Sequence, residues 1–443
     1  MKTFSRACLG ALLLLFPASA APAQSQMLFG SLELFCQDFV ASSDPSLSSS
    51  IGLGAGSPLL VGQGQLDLHE TLSFQQGMLS VADTAFWWQG TDGGALQNDL
   101  RQAYVSVTAA PALTIVIGKQ RLSWGTGYAF FPGDKLNPPV NPQNRSEGFT
   151  GLSATLAPSS SVSISASVRV DTAFAGITQL PGLPYPTSTD PASAFPFLSA
   201  GIPASSSPPW LGLRYALYCE AFLGDLDLHA GATWEWQRVL RPTVDFSLDL
   251  LGFILDGAVA VELANSDLYP DASGGYSSPG FGTPFPLATI GIQRTESTDT
   301  GSVAATLEYL YDGTGYDASQ ESKFLNDFFS TLTPGGPAAT AAFLSSAVGS
   351  AWFSSGEVIP ALGRHYGALT LSGSVTGVFS ASADLVVNLQ DLSLALQAEV
   401  RLIRLEGIDI FTRAAWAWGP DNQTEFGSSP VPLAVSAGAA VHF

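Results

Sequence analysis

The polar and aromatic residues between Gly118 and Pro138 are the first candidates for a functional element. The stretch reads GKQRLSWGTGYAFFPGDKLNP, and its glycines and prolines are typical of a loop with a restricted shape. The residues of this candidate constriction loop are Lys119, Arg121, Trp124, Asp134, Lys135 and Asn137. A loop that folds inward must satisfy its own polar groups, and the mixed charges of this one suit pairing with charged residues elsewhere in the fold.

Residue types that usually carry catalysis or bind metals form no recognisable site. His69, His229, His365 and His442 are far apart and lie in unrelated segments. The chain has no GxSxG, HExxH, P-loop or CxxC motif. We therefore expect no catalytic residue, no metal site and no cofactor.

Much of the chain alternates apolar and polar residues with a period of two, which predicts strands with one apolar face. Cys36 and Cys219 fall on the apolar positions of their strands. We interpret them as small apolar residues that would face lipid if these strands cross a membrane. Eighteen candidate strands follow from the pattern: 27–40, 61–75, 78–89, 100–110, 112–119, 148–157, 160–174, 209–221, 225–237, 243–250, 253–264, 287–296, 301–312, 364–376, 379–390, 392–403, 407–418 and 432–443. Merging at the short segments 112–119 and 243–250 would give sixteen strands instead.

The lengths of the connections indicate how these strands are arranged. Connections after even-numbered strands are short, whereas all the long ones follow odd-numbered strands: 41–60, 90–99, 120–147, 175–208, 265–286, 313–363 and 419–431. Strict alternation of short turns and long loops is typical of transmembrane barrels. The sequence therefore predicts an all-β fold, a transmembrane antiparallel β-barrel. In the longest loop, 319–332 and 337–350 are possible helices.

Charged residues at polar strand positions are predicted to line the lumen of such a barrel. They are Glu33, Asp67, Arg169, Arg214, Asp227, Glu235, Asp245, Asp249, Asp256, Glu262, Glu308, Glu399, Arg401, Asp409 and Arg413. Carboxylates outnumber arginines, and charged rings select ions by sign, so a mild cation preference is expected. A merely solvated wall is the alternative. The loop after Gly118 either constricts the lumen or locks the barrel rim, and both interpretations stay open.

Aromatic residues cluster where odd-numbered strands end, which predicts an interfacial girdle at one rim. Its members are Trp87, Trp88, Trp234, Trp236, Tyr309, Tyr311, Trp416 and Trp418.

The beginning of the chain has the features of a secretory signal peptide over 1–23, with cleavage after Ala20 or Ala23. A single domain over 24–443 would follow it. Without Lys2 and Arg6, 15 of the 17 basic residues remain against 37 acidic ones, a net charge of −22. A chain this acidic is not expected to bind nucleic acid.

The Gly118–Pro138 stretch resembles a motif of uncharacterised porin-like outer-membrane barrels, GRQRxxWGxG followed by PxDxLNP, with Lys119 replacing the usual arginine. The segments similar to the same group are EYLYDGTGY at 308–316, RHY at 364–366, NLQD at 388–391 and TEFG at 424–427. The resemblance implies a barrel that passes small solutes through the outer membrane. The aromatic residue Phe443 resembles the signal read by the barrel-assembly machinery.

Alternatives to a passive channel stay open at this point. The first part of the motif is also similar to alginate-export-like barrels, so an exporter or a specific transporter, including one for hydrophobic substrates, is the second interpretation. An outer-membrane enzyme is the least favoured one.

Overall fold

The computed structural model describes residues 25–40, 58–90, 93–122, 125–134, 136–137, 148–170, 213–235, 239–265, 269–271, 276–277, 279–326, 362–375, 378–405, 407–421, 424–427 and 432–442. The proposed signal peptide, Phe443 and the possible helix 337–350 lie outside them.

Nearly all of the described chain is β-strand. In chain order the strands are β1 (Ser25–Val40), β2 (Pro58–Phe74), β3 (Gly77–Gly90), β4 (Gly93–Ala110), β5 (Leu113–Gln120), β6 (Phe149–Ser159), β7 (Val162–Arg169), β8 (Arg214–Leu223), β9 (Leu226–Glu235), β10 (Val239–Leu250), β11 (Phe253–Asn265), β12 (Tyr269–Pro270), β13 (Tyr276–Ser277), β14 (Gly280–Thr298), β15 (Gly301–Asp312), β16 (His365–Val375), β17 (Phe379–Asn388), β18 (Ser393–Leu405), β19 (Ile408–Trp418) and β20 (Leu433–His442).

Eighteen of these strands form one closed antiparallel barrel, and β12 and β13 form a separate two-stranded ribbon. Each barrel strand pairs with the next one along the chain. β1 pairs with both β2 and β20, with Glu33 opposite Ala440, so the sheet has no free edge. The short segments that left sixteen strands open are separate strands, β5 and β10, and the predicted antiparallel barrel of eighteen strands is confirmed.

Turns of two or three residues follow β2, β4, β6, β8, β10, β14, β16 and β18. We call this rim the short-turn end and the opposite rim the long-loop end. At the β10–β11 turn, Leu251 and Gly252 take positive φ angles of 57° and 80°, the combination required by the tightest hairpins. The prediction of a long loop over 90–99 was wrong. β3 extends to Gly90 and β4 begins at Gly93, so most of this range belongs to the strands of a tight hairpin.

Inner and outer faces of the barrel differ sharply, as β15 illustrates. Leu307 and Tyr309 are 57% and 37% exposed, whereas Glu308 between them is 2% exposed. Cys36 and Cys219 are unpaired and exposed on the outward register. Large apolar side chains exposed on the outer face include Leu34, Ile117, Leu217, Val244, Val259, Ile290, Leu371, Ile410 and Val435. Such a surface is suited to hydrocarbon rather than water, because the transfer of each of these side chains out of water is favourable.

The expected aromatic girdle is represented at the long-loop end. Trp234, Tyr309, Trp416 and Trp418 are exposed on the outer face near the ends of β9, β15 and β19. The side chains of Trp87, Trp88 and Trp236 lie outside the described residues.

The apolar packing inside the barrel lies between the wall and the loop that follows β5. Leu136 and Phe149 are fully buried there against Ala216 and Tyr218 of β8, and Leu122 packs on the same cluster. The barrel interior is therefore partly filled by a folded segment.

A short helix over 318–326 lies in the loop between β15 and β16, where the sequence predicts a helix over 319–332. Its Phe324 and Leu325 are buried, which fixes the helix against the rim. No helix in the described residues is long and apolar enough to cross a bilayer.

Candidate functional site

The charged residues predicted to line the lumen all occupy inward positions of their strands. The most buried of them, each less than a tenth exposed, are Glu33, Arg169, Arg214, Glu235, Asp245, Asp256, Glu262, Glu308 and Asp409. The partly exposed or exposed ones are Asp67, Asp227, Asp249, Glu399, Arg401 and Arg413. The burial shows that much of this wall is covered by other protein groups rather than by water.

Ion pairs between strands of the wall neutralise several of the wall carboxylates. Arg214 Nη2 lies 2.9 Å from Glu235 Oε2 across β8 and β9. Arg241 of β10 contacts Glu262 of β11, and both side chains are buried. Arg101 Nη2 lies 3.3 Å from Asp67 Oδ1. The sequence did not single out Arg101 or Arg241, so it overestimated the excess of acidic groups on the wall.

A larger network joins β18 and β19 to β1. Arg401 contacts Glu33 and Glu399, both at 3.0 Å, and Asp409 at 3.3 Å. Arg413 contacts Glu33 at 2.9 Å and also Glu399, and its guanidinium lies over the ring of Phe411. Two cations thus hold three carboxylates in one inward-facing cluster.

The loop after β5 folds into the barrel, and we call its described part the inward loop (121–122, 125–134 and 136–137). Near its start, the Gly125 amide donates to the Tyr218 hydroxyl at 3.0 Å, and the Thr126 hydroxyl donates to the Phe246 carbonyl at 2.9 Å. Near its end, Arg241 donates to the Pro132 carbonyl at 2.7 Å and Arg169 to the Leu136 carbonyl at 3.1 Å. These bonds attach the loop to the wall between β7 and β10.

The middle of the inward loop reaches the far wall. The amides of Tyr128 and Ala129 each donate to the Glu308 carboxylate of β15 at 2.5 Å. The ring of Phe130 lies 6.4 Å from that of Tyr366 in β16. Because β15 and β16 are the thirteenth and fourteenth barrel strands, they lie opposite β5 in the closed order of eighteen. The loop therefore crosses the lumen.

A side-chain brace keeps the two ends of the inward loop together. Asn137 donates to the Leu122 carbonyl at 2.6 Å and to Asp134 at 2.7 Å, and its own Oδ1 accepts from the Leu122 amide at 3.1 Å. Asp134 Oδ1 accepts from the amides of Leu136 and Asn137. Asp134 and Asn137 thus shape the loop backbone, in addition to any contact with a solute.

The remaining residues of the candidate constriction loop have different positions. Arg121 lies in the inward loop and is half-buried. Lys119, the last residue of the predicted strand 112–119, belongs to β5 and lies opposite Thr150, which is exposed between the buried Phe149 and Gly151. Cross-strand partners share a face, so Lys119 lies on the outward register. Trp124 and Lys135 lie outside the described residues.

A second polar cluster, the rim cluster, joins loops at the long-loop end. It consists of Glu321, Tyr366, Asn388, Gln390 and Glu425. Glu425 Oε2 accepts from the Tyr366 hydroxyl and from Asn388, both at 2.9 Å. Glu321 accepts from Asn388 at 3.2 Å and from Gln390 at 2.6 Å. This cluster includes or adjoins the four segments whose sequences resemble those of porin-like barrels, although they are far apart in the chain: 308–316, 364–366, 388–391 and 424–427.

Burial makes both carboxyl groups of the rim cluster hard to ionise. Desolvation is the main cause that raises the pKa of Glu321 to about 8, and the nearby Asp391 carboxylate adds to it. Burial also raises the pKa of Glu425 to about 8, against the lowering effect of its hydrogen bond from Tyr366. The cluster is most stable with these groups neutral.

Sequence reasoning missed that His229 meets carboxylates from other strands. Its ring lies between Asp245 of β10 and the pair Glu220 and Asp227. The signal present in the sequence was the run Asp227–His229 on one face of β9, but the partners on β8 and β10 depend on strand register.

The sequence matches no protein-family model, and no curated protein matches it. Several solved structures are similar to it. One is OccAB1 of Acinetobacter baumannii, with 10% identity, a TM-score of 0.48, and coverage of 96% of this chain and 99% of that one. Another is a BenF-like porin of Pseudomonas fluorescens Pf-5, with 8% identity, a TM-score of 0.48, and coverage of 95% and 98%. A third is OccAB3 of Acinetobacter baumannii, with 8% identity, a TM-score of 0.47, and coverage of 95% and 99%.

Proposed function

We propose that this protein is a porin of the bacterial outer membrane, a passive channel for small hydrophilic solutes whose bore is limited by the inward loop. The observation that carries the proposal is the inward loop itself, which crosses a charged lumen and is attached to both walls. A barrel with an apolar outside and a polar inside supplies the passage, and the loop supplies its size limit.

We also propose how the protein reaches the membrane, and that it catalyses no reaction. The signal peptide over 1–23 directs export, the barrel-assembly machinery recognises the terminal strand ending at Phe443, and the bilayer lipids cover the outer face. The candidate solute contacts are Arg121, Trp124, Asp134, Lys135 and Asn137 together with the charged wall. The channel prefers cations mildly, because the exposed wall residue Asp249 pairs with no lysine or arginine among the described residues.

Conductance in a planar lipid bilayer tests the proposal. Purified, folded protein is expected to give steady current steps of uniform size that are proportional to voltage. Protein heated until its gel migration changes is the control and is expected to give none. Absence of steps from the folded protein, together with hydrolysis of an ester or peptide substrate, would replace the channel by an enzyme.

A further inference from the structure

Three residues capable of binding a metal face one another on the inner wall near the short-turn end. Glu220 lies on β8, and Asp227 and His229 lie on β9, with Glu220 directly opposite His229 in the register. One ligand atom from each lies within 4.8 Å of the others. This spacing allows all three atoms to contact a single ion.

The imidazole of His229 is oriented by a carboxylate on the third strand. Its Nδ1 lies 2.6 Å from Asp245 Oδ1 of β10, and Asp245 also accepts from the Tyr218 hydroxyl at 3.1 Å. An imidazole that donates from Nδ1 to a carboxylate presents Nε2 with its lone pair free. Ser163 donates to Glu220 Oε2 at 2.8 Å and leaves Oε1 facing the histidine.

The atoms that face one another in this cluster are poorly satisfied by protein groups. His229 is only 6% exposed, and its Nε2 is buried with no hydrogen-bond partner. Asp227 Oδ1 lies 2.8 Å from Nε2 and is also buried without a hydrogen bond, and Glu220 Oε1 lies 3.4 Å away. A buried ring nitrogen and two carboxylates directed at one point require a positive charge, either on the ring itself or on a bound cation.

We propose that Glu220, Asp227 and His229 form a binding site for a divalent first-row transition metal ion of the Zn²⁺ type. One imidazole with two carboxylates is a ligand set for Zn²⁺ and its neighbours, since imidazole disfavours Mg²⁺ and Ca²⁺, which prefer oxygen ligands only. Asp245 and Tyr218 act as positioning residues that fix the histidine ring. The Tyr218 hydroxyl accepts from the Gly125 amide, so the site is linked by hydrogen bonds to the inward loop.

Cobalt binding to tag-free protein tests the site without reference to conductance. Folded protein treated with a chelator and then dialysed is titrated with Co²⁺, whose visible absorption reports nitrogen and oxygen ligands, and Zn²⁺ is then added as a competitor. The expected result is saturation at one ion per chain and loss of the signal with Zn²⁺. His229→Gln and Asp227→Asn are expected to weaken Co²⁺ binding by roughly tenfold or more.

His442→Gln is the matched control, because His442 also faces a wall carboxylate, with Nε2 2.9 Å from Asp409, but has no second one beside it among the residues the structure describes. This variant is expected to bind Co²⁺ like the unaltered protein. Glu220→Gln provides a third ligand variant, and heat-modifiable gel migration verifies that each variant folds. No saturable Co²⁺ signal, or equal binding by His229→Gln, would overturn the site and leave a protonated histidine between the carboxylates.

Discussion

Glu308 attaches the inward loop to the wall farthest from its origin. Its two oxygens each accept one loop amide, from Tyr128 and from Ala129, at 2.5 Å. Hydrogen bonds to a charged acceptor contribute about 1.5–3 kcal/mol each. Glu308 thus holds the middle of the loop against the far wall by two hydrogen bonds.

Substituting Glu308→Gln is expected to release the middle of the inward loop and to raise single-channel conductance with more current noise. The amide side chain keeps one acceptor, but its NH₂ group faces a backbone N–H. Glu296→Gln is the control, because Glu296 lies on an exposed part of neighbouring β14 and pairs with Arg294. Unchanged conductance in Glu308→Gln would contradict a role for this contact in limiting the bore.

The rim cluster makes stability depend on pH. Glu321 and Glu425 have pKa values raised from an ordinary 4.5 to about 8, so the folded protein keeps their protons where the unfolded chain has lost them. The stabilisation is complete below about pH 4.5 and is lost as pH rises toward and through about 8. We expect the unfolding temperature in detergent to fall between pH 5 and pH 9.

The double substitution Glu321→Gln and Glu425→Gln tests that origin. It is expected to flatten the pH dependence of the unfolding temperature, because neither side chain can ionise. Asp249→Asn, an exposed wall residue near the short-turn end, is expected to leave the pH dependence intact. An identical decline in the double variant would assign the pH effect to other groups.

At the scale of the element, the inward loop depends on close approach between its backbone and the wall. A β-carbon added at Gly133 would lie 2.7 Å from Thr243 Oγ1 and 2.9 Å from its Cγ2. Both distances are too short for non-bonded contact, so only glycine fits unless the wall moves. The position therefore fixes how near the loop lies to β10.

Gly133→Ala is expected to push the loop from β10 and to widen the spread of single-channel conductance values. Adding Thr243→Ala removes both clashing atoms and is expected to restore the narrow distribution. Gly373→Ala is the control, because its added β-carbon would meet only ordinary contacts at 3.5 Å and beyond. A double variant no better than Gly133→Ala would show that this contact does not set the loop position.

Strand alternation and loop parity predicted the elements well, because both depend on local sequence alone. The predictions failed where the pairing between strands determines which residues meet. Gly90 and Gly93 carry no local strand signal, yet they pair with each other and close the β3–β4 hairpin. Likewise, the partners Arg241 and Glu262, or His229 and Glu220, meet only through a register that a one-residue slip would reverse.

For the whole molecule, the balance of wall charges sets ion selectivity. Most wall carboxylates are paired with arginines or hydrogen-bonded to the inward loop, whereas the exposed Asp249 has no lysine or arginine partner among the described residues. We expect a weak cation preference in reversal potentials at low salt. It should fade as salt increases, because the screening length falls from about 10 Å at 0.1 M to about 3 Å at 1 M.

Asp249→Asn is expected to reduce the cation preference, whereas Glu296→Gln outside the lumen is expected to leave it unchanged. Clear anion preference of the unaltered protein at low salt would contradict an acidic lumen. The same measurement after deletion of 122–136 reports whether the loop's own charges offset those of the wall.

The cluster of Glu33 with Arg401 and Arg413 has a consequence for how the barrel assembles. Glu33 is separated from these arginines by 368 and 380 positions, and β1 meets β20 at the junction of the first and last strands. Joining such distant segments carries a large loop-closure entropy cost. Contacts that reach from β1 past β20 to β18 and β19 oppose that cost. These ion pairs hold the β1–β20 junction together from the inner face, so the barrel resists opening between its first and last strands.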